Sequence, residues 1–278
     1  MDRYKFRKRA GRALQYAGVI GCGLVFMLPF VWLVLCSFKS EAELFSMPPT
    51  FFPARPTAEN YVKATSAIPF FRFTLNTVWI SLVSMLGSLV SCSLVAFSIA
   101  KLEWRLRGMV FALILVTMMI PYQVTMIPVY LIWNALGFVD TYLPLILPYF
   151  FAPSLYVFLM RQFYLTIPNS LLDSARLDGA GNFMIWLRIM LPLSRGVLAA
   201  VAVFVLLATW SDFLGPLIYI NSVENRTLSI GLTMFLSEYT VEWGALMAAA
   251  AIFAGIIVVP FFVFQKQLIG SLKLSGLK

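Results

Sequence analysis

Six long stretches without a charged side chain divide this sequence, and they constrain its fold more than any other feature. A helix needs about 20 apolar residues to cross the hydrocarbon core of a bilayer. All but one of the stretches reach that length, and the exception, Gly196–Ser211, reaches it only by continuing past Asp212. The pattern predicts an all-α membrane protein with six transmembrane helices. The stretches are Ala13–Phe38, Phe73–Ala100, Gly108–Val139, Thr141–Met160, Gly196–Ser211 and Trp243–Phe264.

The composition excludes most other classes of protein. Apolar residue types make up 61% of the chain and charged types 12%, against about 45–50% and about 25% in soluble domains. The chain has no histidine, which removes imidazole metal ligands and histidine-based catalysis. Cys22, Cys36 and Cys92 lie in apolar stretches without metal-ligand spacing and are interpreted as small buried hydrophobes. No metal site, cofactor or catalytic residue is predicted.

The first apolar stretch follows a basic N-terminus, as the core of a signal peptide would. Residues 1–12 contain six Lys and Arg side chains. The stretch that follows is longer than the roughly 7–15 residues of a signal-peptide core. An uncleaved membrane anchor is therefore favoured, and a signal peptide is the alternative.

The distribution of Lys and Arg predicts the orientation of the chain. With both termini in the cytoplasm, the segments on that side hold 16 of the 21 basic residues, the bias that the positive-inside rule describes. Because these residues flank the spans and are not interleaved with aromatic ones, nucleic-acid binding is not predicted. The cytoplasmic segments are 1–12, 101–107, 161–195 and 265–278.

This orientation divides the chain into five parts. Prolines are dense inside the predicted spans, and broken helices at membrane depth persist only when packed in protein or facing a water-filled cavity. The predicted core is therefore a bundle around a pathway. The parts are a basic N-terminus (1–12), a first transmembrane helix (13–38), an extracytoplasmic loop (39–72), a five-helix core (73–264) and a C-terminal tail (265–278).

The cytoplasmic segment 161–195 carries the sequence signals of two short helices. Ser170 followed by Asp173 resembles a capping box, with Asp in place of Glu, and predicts a first helix that ends near Leu177. Gly179 can then take the left-handed conformation just beyond the helix end. The segment is therefore expected to be a rigid protrusion and not an extended loop.

The second helix of this segment is predicted to follow a cap at Asn182 and to end at Pro192. Its apolar residues recur at i, i+3, i+4 and i+7, so they share one face. Two interpretations stay open, an interfacial element lying on the bilayer and a docking element for another protein. Lys and Arg are sparse on the polar side, whereas interfacial helices are usually basic there, which favours docking. The predicted face consists of Phe183, Trp186, Leu187 and Met190.

A spacing pattern in the same segment points to a family. Asp173-Ser174-Ala175 is followed after three residues by Gly179, and after nine more by Ile189-Met190-Leu191-Pro192. This resembles the EAA loop of ABC importer permeases, which reads Glu-Ala-Ala, three residues, Gly, nine residues, Ile-x-Leu-Pro. The departures are Asp for Glu and Ser for the first Ala.

The resemblance extends over nearly the whole chain after residue 15. The chain is similar to one branch of the family in particular, the maltose-type second permease of carbohydrate importers. Trp210-Ser211-Asp212-Phe213-Leu214 resembles the Trp-Asn-Asp-Phe motif of that branch, with Ser where Asn is usual. The other matching pieces are Phe38–Phe45, Glu59–Tyr61, Met126–Pro128, Leu136–Thr141, Ile146–Tyr149 and Ala175–Ala180.

This resemblance implies the type I ABC importer permease fold and a translocator of four parts. The parts are this subunit, a second homologous permease and two cytoplasmic ATP-binding subunits, and an extracytoplasmic solute-binding protein delivers the sugar. The sequence has no Gly-x-x-x-x-Gly-Lys-Ser/Thr phosphate loop, so the chain is not expected to be an enzyme. The implied location is the lipid bilayer of a bacterial or archaeal cytoplasmic membrane, which the chain crosses several times.

The resemblance also implies which residues couple transport to ATP hydrolysis. The helix pair would lie in a groove of an ATPase subunit, with Gly179 allowing close approach of the backbone. ATPase motion would then rock the spans between inward-open and outward-open states. The implied coupling residues are Asp173, Ser174, Ala175, Asp178, Gly179, Phe183, Trp186, Ile189, Leu191 and Pro192.

Asp212 is a carboxylate inside a predicted span, and such residues are functional candidates by default. Trp210 and Asp212 are the candidate residues of a translocation path. Gly215 and Pro216 follow directly, so the alternative is that Asp212 caps a helix that resumes after a break. Aromatic residues near span ends are assigned to the membrane interface; they include Trp133, Tyr142 and Trp243.

Other functions fit the sequence less well. Glycerol-phosphate importers have similar permeases, but no basic residue lies inside the spans, which favours an uncharged sugar. An ion-coupled carrier acting alone would place several ionisable groups along its path. A membrane-embedded enzyme would need clustered carboxylates or a metal constellation on one face, which the sequence lacks.

Overall fold

The computed structural model describes residues 2–236 and 241–275, with the side chains of residues 15–236 and 241–266. These residues form helices and turns; apart from an isolated bridge between Leu236 and Val241, the described part contains no β-structure. The predicted all-α class is confirmed. The end of the predicted tail, residues 276–278, lies outside the described residues.

The α-helices range from one turn to more than thirty residues. They are α1 (Asp2–Ser37), α2 (Glu41–Leu44), α3 (Glu59–Ser66), α4 (Phe70–Lys101), α5 (Arg107–Thr117), α6 (Tyr122–Ala135), α7 (Leu143–Ile146), α8 (Ser154–Thr166), α9 (Asn169–Leu177), α10 (Asn182–Ile185), α11 (Leu191–Leu193), α12 (Arg195–Trp210), α13 (Leu214–Tyr219), α14 (Leu228–Gly231) and α15 (Trp243–Ser275). Short 3₁₀ turns cover Leu147–Phe151, Val223–Asn225 and Leu232–Phe235, and a π-helical turn covers Trp186–Met190.

Candidate membrane spans fall into two groups within the described chain. Four helical segments are long and apolar enough by themselves, and two bent pairs of helices qualify only when each pair is joined. The predicted number of six is reached when each bent pair counts as one span. The single segments are Gln15–Ser37, Phe70–Lys101, Leu143–Thr166 and Trp243–Lys266, and the pairs are α5 with α6 and Asn182–Leu193 with α12.

The third apolar stretch, predicted as one span, is broken. α5 ends at Thr117 and α6 begins at Tyr122, and the two axes differ by 99°. Pro121 lies at the break and explains it. Proline has no N–H for the helical ladder and disfavours helical backbone in the residue before it.

The fifth stretch is interrupted after Trp210, as the Gly215-Pro216 pair predicts. α12 ends at Trp210, and Asp212 lies in the connection to α13 instead of inside a continuing helix. The helix that forms one candidate span with α12 is instead the preceding segment Asn182–Leu193, and the two axes differ by 81°. Pro216 explains the break, because in a continuous helix its ring would clash with the carbonyl of Asp212, whereas proline is tolerated in the first turn of α13.

Internal contacts divide the chain into two compact units, Met1–Ile68 with Leu232–Ala254 and Pro69–Gly231 with Gly255–Lys278. In the first unit, the buried Asn60 of α3 donates side-chain hydrogen bonds to the carbonyls of Ser37 (2.9 Å) and Lys39 (2.7 Å). These bonds tie α3 to the end of α1. Cys36 is buried as expected, but Cys22 is exposed.

In the second unit, α4 is the central helix and packs along α8 and α12. Small residues on α4 allow this close packing, as is common between membrane helices. The second unit's core also includes side chains of the segment 161–195, so that segment is continuous with the bundle. The main core residues are Cys92, Ala96 and Phe97 of α4, Val157, Met160 and Tyr164 of α8, Val201 and Val205 of α12, and Leu172, Ile185, Trp186 and Met190.

Candidate functional site

The bend between α9 and α10 is built by a left-handed glycine, as predicted. Gly179 has φ +82°, and its N–H donates to the carbonyl of Arg176 (3.0 Å). The N–H of Ala180 donates to the carbonyl of Ala175 (2.9 Å). This pair of bonds is the Schellman motif, which satisfies the last carbonyls of a helix. A Cβ at position 179 would contact no other atom within 4 Å, so the glycine is needed for its conformation and not for space inside this chain.

The predicted caps of both helices are wrong by one or two residues. α9 begins at Asn169 after Pro168, and Ser170 lies inside the helix without a side-chain capping bond. The carbonyl of Ser170 instead accepts a hydrogen bond from the hydroxyl of Ser174 (2.9 Å). Asn182 is the first residue of α10, and Gly181 is the residue that precedes it as the cap. Proline before the first helical turn costs no ladder hydrogen bond, which explains the earlier start of α9.

Pro192 does not end the second helix. The chain stays helical through Leu193, with a π-helical turn in which the N–H of Leu191 donates to the carbonyl of Trp186. A π turn widens the helix by one residue, which accommodates a proline that removes a donor and crowds the preceding turn. The break comes at Ser194 instead.

The apolar face of this helix is rotated from the predicted one. Trp186 and Met190 are buried in the core as predicted, but their partners on that face are Ile185 and, partly, Ile189. Phe183 and Leu187, placed on the same face by the sequence, are 64% and 43% exposed. The prediction was therefore half wrong, because the segment has apolar residues on two sides and the bundle covers only one.

The remaining coupling candidates divide between surface and core. Ala175 and Leu191 are half-buried and pack against the core, whereas Pro192 is exposed. Asp173, Ser174 and Asp178 are exposed, and Asp173 pairs with Arg176 at 3.1 Å. The same segment also exposes large apolar side chains, which are those of Leu171, Leu177, Phe183, Met184 and Leu187.

Lys101 fastens the base of this segment, which the sequence did not indicate. Its Nζ atom donates to the carbonyl of Ile167 (2.5 Å) and to Oδ1 of Asn169 (2.8 Å). Ile167 is the C-cap of α8 and Asn169 begins α9, so one ammonium group joins the end of α4 to the start of α9.

A cavity of about 810 Å³ lies within the second unit. Three interruptions of helices meet at its wall: the break between α5 and α6, the 3₁₀ turn before α8, and the connection from α12 to α13. The freed carbonyl of Tyr149 in the 3₁₀ turn accepts hydrogen bonds from the hydroxyls of Ser88 (3.3 Å) and Ser91 (3.2 Å) on α4. These bonds satisfy a backbone carbonyl that the interrupted helix leaves free.

Asp212 lines this cavity and also caps a helix. Its Oδ1 atom accepts the N–H of Gly215 (3.0 Å), within the first turn of α13. Its carbonyl accepts the hydroxyl of Ser229 (2.6 Å). A Cβ at position 215 would overlap the Asp212 carboxylate, so Gly215 provides the space in which that carboxylate lies. The hydrogen bond from Gly215 agrees with the capping interpretation of Asp212, and the residue also lines the cavity.

Trp210 and Asp212 do not line the same cavity. Trp210 is 4% exposed and borders a second cavity of about 260 Å³, together with side chains of α4 and α15. Trp133, assigned by the sequence to the membrane interface, lies on the wall of the larger cavity instead. Its neighbours on that wall include Tyr122, Tyr149, Tyr156 and Tyr219.

Asp140 joins the turn before α7 to the turn after α13, which the sequence did not indicate. The residue adopts φ +64°, and its Oδ1 atom accepts the N–H of Asn221 (3.0 Å), the N–H of Ser222 (2.9 Å) and the hydroxyl of Ser222 (2.9 Å). These bonds, the backbone N–H of Ser222 foremost, hold the pKa of the Asp140 carboxyl below its ordinary value. No group of three or more Cys, Asp and Glu within the described ranges is arranged to hold a metal ion.

Comparison with known proteins identifies the family. Residues 92–273 match the family described as binding-protein-dependent transport system inner membrane component. The arabinooligosaccharides transport system permease protein AraQ of Halalkalibacterium halodurans is 35% identical over 98% of this chain and 99% of its own length. The sn-glycerol-3-phosphate transport system permease protein UgpE of Rhizobium meliloti is 32% identical over 86% of each chain.

Solved structures show the same fold. A chain from the crystal structure of a bacterial ABC transporter involved in the import of the acidic polysaccharide alginate superimposes with a TM-score of 0.80, at 20% identity, over 93% of this chain and 97% of the other. The fold, the matched residues and the relatives agree with the resemblance drawn from the spacing pattern in residues 161–195. The chain belongs to the inner membrane components of binding-protein-dependent transport systems, the permeases of ABC importers.

Proposed function

We propose that this chain imports a sugar or oligosaccharide as one permease of an ATP-driven transporter, coupled through residues 161–195 to separate ATPase subunits. One observation carries the proposal: the coupling segment is locked into the core on one side and exposes large apolar side chains on another. A surface of that kind on a bundle with several apolar spans suits a protein partner. The names of relatives for arabinooligosaccharides, diacetylchitobiose and lactose transport support a carbohydrate substrate.

The proposed assembly has a second homologous permease, two ATP-binding subunits and a solute-binding protein. A second solved structure, of a bacterial alginate ABC transporter in complex with an alginate pentasaccharide-bound periplasmic protein, supports the last of these. The proposed orientation places both termini and residues 161–195 in the cytoplasm, with six spans in a bacterial or archaeal cytoplasmic membrane. The excess of basic residues in those segments supports it.

In the proposed coupling, rigidity matters more than chemistry. Trp186, Ile189 and Leu191 hold the helix to the core, so a force on the exposed side is transmitted to α4, α8 and α12. Phe183 and the exposed carboxylates Asp173 and Asp178 would contact the ATPase. Closure of the ATPase subunits would then move the segment and the spans as one body.

The proposed translocation path includes Asp212, because this carboxylate lines the larger cavity. Trp210 is proposed as a wall residue beside the path, since it borders a different cavity. A glycerol-phosphate substrate is the second candidate, supported by the 32% identity to UgpE. Uptake of labelled sugars and of glycerol phosphate by the same membranes would separate the two.

The test of the assembly is purification of the chain from its native membrane in mild detergent. We expect a second permease and an ATPase to co-purify, with ATP hydrolysis in the eluate. Phe183→Asp should abolish co-purification of the ATPase but not of the permease, because it charges an apolar contact. Phe71→Asp is the matched control, since Phe71 is 75% exposed but lies on α4. A lone polypeptide without ATPase, or a complex indifferent to Phe183→Asp, would contradict the proposal.

A further inference from the structure

We infer that the cavity at the three helix breaks is a contact site for an uncharged carbohydrate, and that Asp212 makes it selective against acidic substrates. This rests on the proposed function, because the site acts only on a substrate that passes through this subunit. The relatives do not decide the charge of the substrate: permeases named for arabinooligosaccharides and for glycerol 3-phosphate are 35% and 32% identical to this chain. The residues that line the cavity indicate which charge of substrate it accepts.

The cavity lies where a substrate site is expected in a membrane transporter. Unwound backbone at membrane depth is tolerated only in packed protein or against water. Met118, Met119 and Ile120 at the α5–α6 break are 44%, 81% and 49% exposed, so the described protein does not cover them. The connection from α12 to α13 reaches the same wall. A space shared by interrupted helices is where membrane transporters place substrate sites.

The lining of the cavity suits a sugar. The aromatic side chains of Tyr122, Trp133, Tyr149 and Tyr219 face this space, and aromatic faces pack against the C–H faces of sugar rings. The indole Nε1 of Trp133 is buried and has no hydrogen-bond partner in the described part of the chain. Because this N–H is enclosed by protein, the part of Trp133 that a sugar in the cavity can contact is its ring and not its N–H.

The charge of the lining favours a ligand without acidic groups. Among the residues that line the cavity, Asp212 is the carboxylate, and the lining includes no Lys or Arg. A carboxylate accepts hydrogen bonds, so it suits hydroxyl groups, which donate. A uronate or phosphate at about 5 Å would meet a like charge that weakens its binding on the order of tenfold to a hundredfold. The site therefore favours uncharged sugars over acidic ones.

The test measures the electrostatic field of the cavity in the assembled transporter, in membrane vesicles. Ser154 lines the cavity, where its hydroxyl is 2.6 Å from that of Thr117. The probe is Ser154→Cys in a Cys22→Ser background, because Cys36 and Cys92 are buried. Thr117→Cys serves as a second probe if the first fails to accumulate. Labelling rates are measured with a cationic and an anionic methanethiosulfonate of similar size.

We expect the cationic reagent to react faster, and Asp212→Asn to reduce the ratio of the two rates about tenfold. Asparagine keeps the oxygen that accepts the Gly215 N–H, so α13 stays capped. Glu103→Gln is the matched control, since it removes a carboxylate outside the cavity and should leave the ratio unchanged. A probe that reacts with neither reagent, or a ratio that Asp212→Asn does not change, overturns the inference.

Protection by sugars tests the ligand class. Arabinotriose or galactotriose should slow the labelling of Ser154→Cys, and trigalacturonate should slow it at least tenfold less per unit concentration. Asp212→Asn should narrow that difference. Equal protection by the acidic trisaccharide, or protection by none of the three, contradicts the inference. Labelling requires no transport, so a transporter that fails in sugar uptake but shows the charge-dependent ratio would disprove the proposed function and leave the cavity's selectivity standing.

Discussion

At the scale of single residues, Gly179 is defined by its backbone and Asp140 by its carboxylate. Gly179 takes a left-handed conformation that costs other residues roughly 1–2 kcal/mol, except Asn and Asp, which tolerate it better. Asp140 has a left-handed backbone too, but its side chain gathers three hydrogen bonds from Asn221 and Ser222. At each position, one substitution tolerates the left-handed backbone and another does not, so the roles of backbone and side chain can be tested separately.

Gly179→Val should reduce sugar uptake severalfold at unchanged amounts of the chain in the membrane, because a β-branched residue opposes the left-handed bend and projects toward the partner. Gly179→Asn should retain more uptake than Gly179→Val, since asparagine accepts that backbone. The measurement is initial uptake rate normalised to chain abundance. Uptake at the wild-type rate by Gly179→Val would mean that coupling does not need this bend.

Asp140→Asn should make the assembled transporter less stable at neutral pH and less sensitive to acid. The folded pKa of Asp140 is lowered, so its stabilisation is present above the unfolded pKa, about 4, and is lost as the pH falls through the folded value. We expect the difference in melting temperature between wild type and Asp140→Asn to shrink below about pH 4. Asparagine keeps the left-handed backbone and one acceptor, so Asp140→Ala should lose more stability. A difference independent of pH would contradict the assignment.

At the scale of elements, the coupling segment is attached to the bundle at two places. The side chains of Ile185, Trp186 and Met190 lie in the core, and Lys101 joins the end of α4 to the start of α9. The sequence predicted both helices of the segment and the glycine between them. The predicted caps were wrong by one or two residues, and the predicted buried face of the second helix was rotated. The reason is that exposed and buried apolar residues follow the same helical spacing in this segment.

Lys101→Met should uncouple ATP hydrolysis from transport. The change keeps the aliphatic stem but removes hydrogen bonds from a charged donor, which are worth on the order of 1.5–3 kcal/mol when intact. We expect more ATP hydrolysed per sugar imported, and partial recovery with Lys101→Arg. Lys63→Met is the control, since its ion pair with Glu59 is on the surface of α3. An unchanged ratio of ATP to sugar in Lys101→Met would show that the core packing alone positions the segment.

At the scale of the whole molecule, the distribution of Lys and Arg predicts which side of the membrane each segment faces. A reporter that is active only outside the cytoplasm should be inactive when fused after Glu103 or Asp178, and active after Arg55 or Glu224. The reason is that 16 of the 21 basic residues lie in the proposed cytoplasmic segments. Activity after Asp178 would reverse the orientation and contradict the coupling role of the segment.

The apolar helices, the breaks near Pro121 and Pro216 and the bend at Gly179 could be predicted from the sequence alone. These features depend on residues within one or two helical turns: length of apolar runs, missing N–H groups of proline, and the backbone freedom of glycine. Family membership could also be predicted, because the spacing of the coupling segment is local.

Which breaks share a cavity, and which polar groups hold the elements together, could be learned only from the folded chain. The bonds of Lys101 to Ile167 and of Asp140 to Ser222 join residues 66 and 82 positions apart, and no local pattern specifies such partners. The same holds for Trp133, which the sequence assigned to the membrane interface and the fold places in the lining of the same cavity as Asp212. Packing of one helix against another chooses which of several apolar faces is buried, and that choice is a property of the assembled chain.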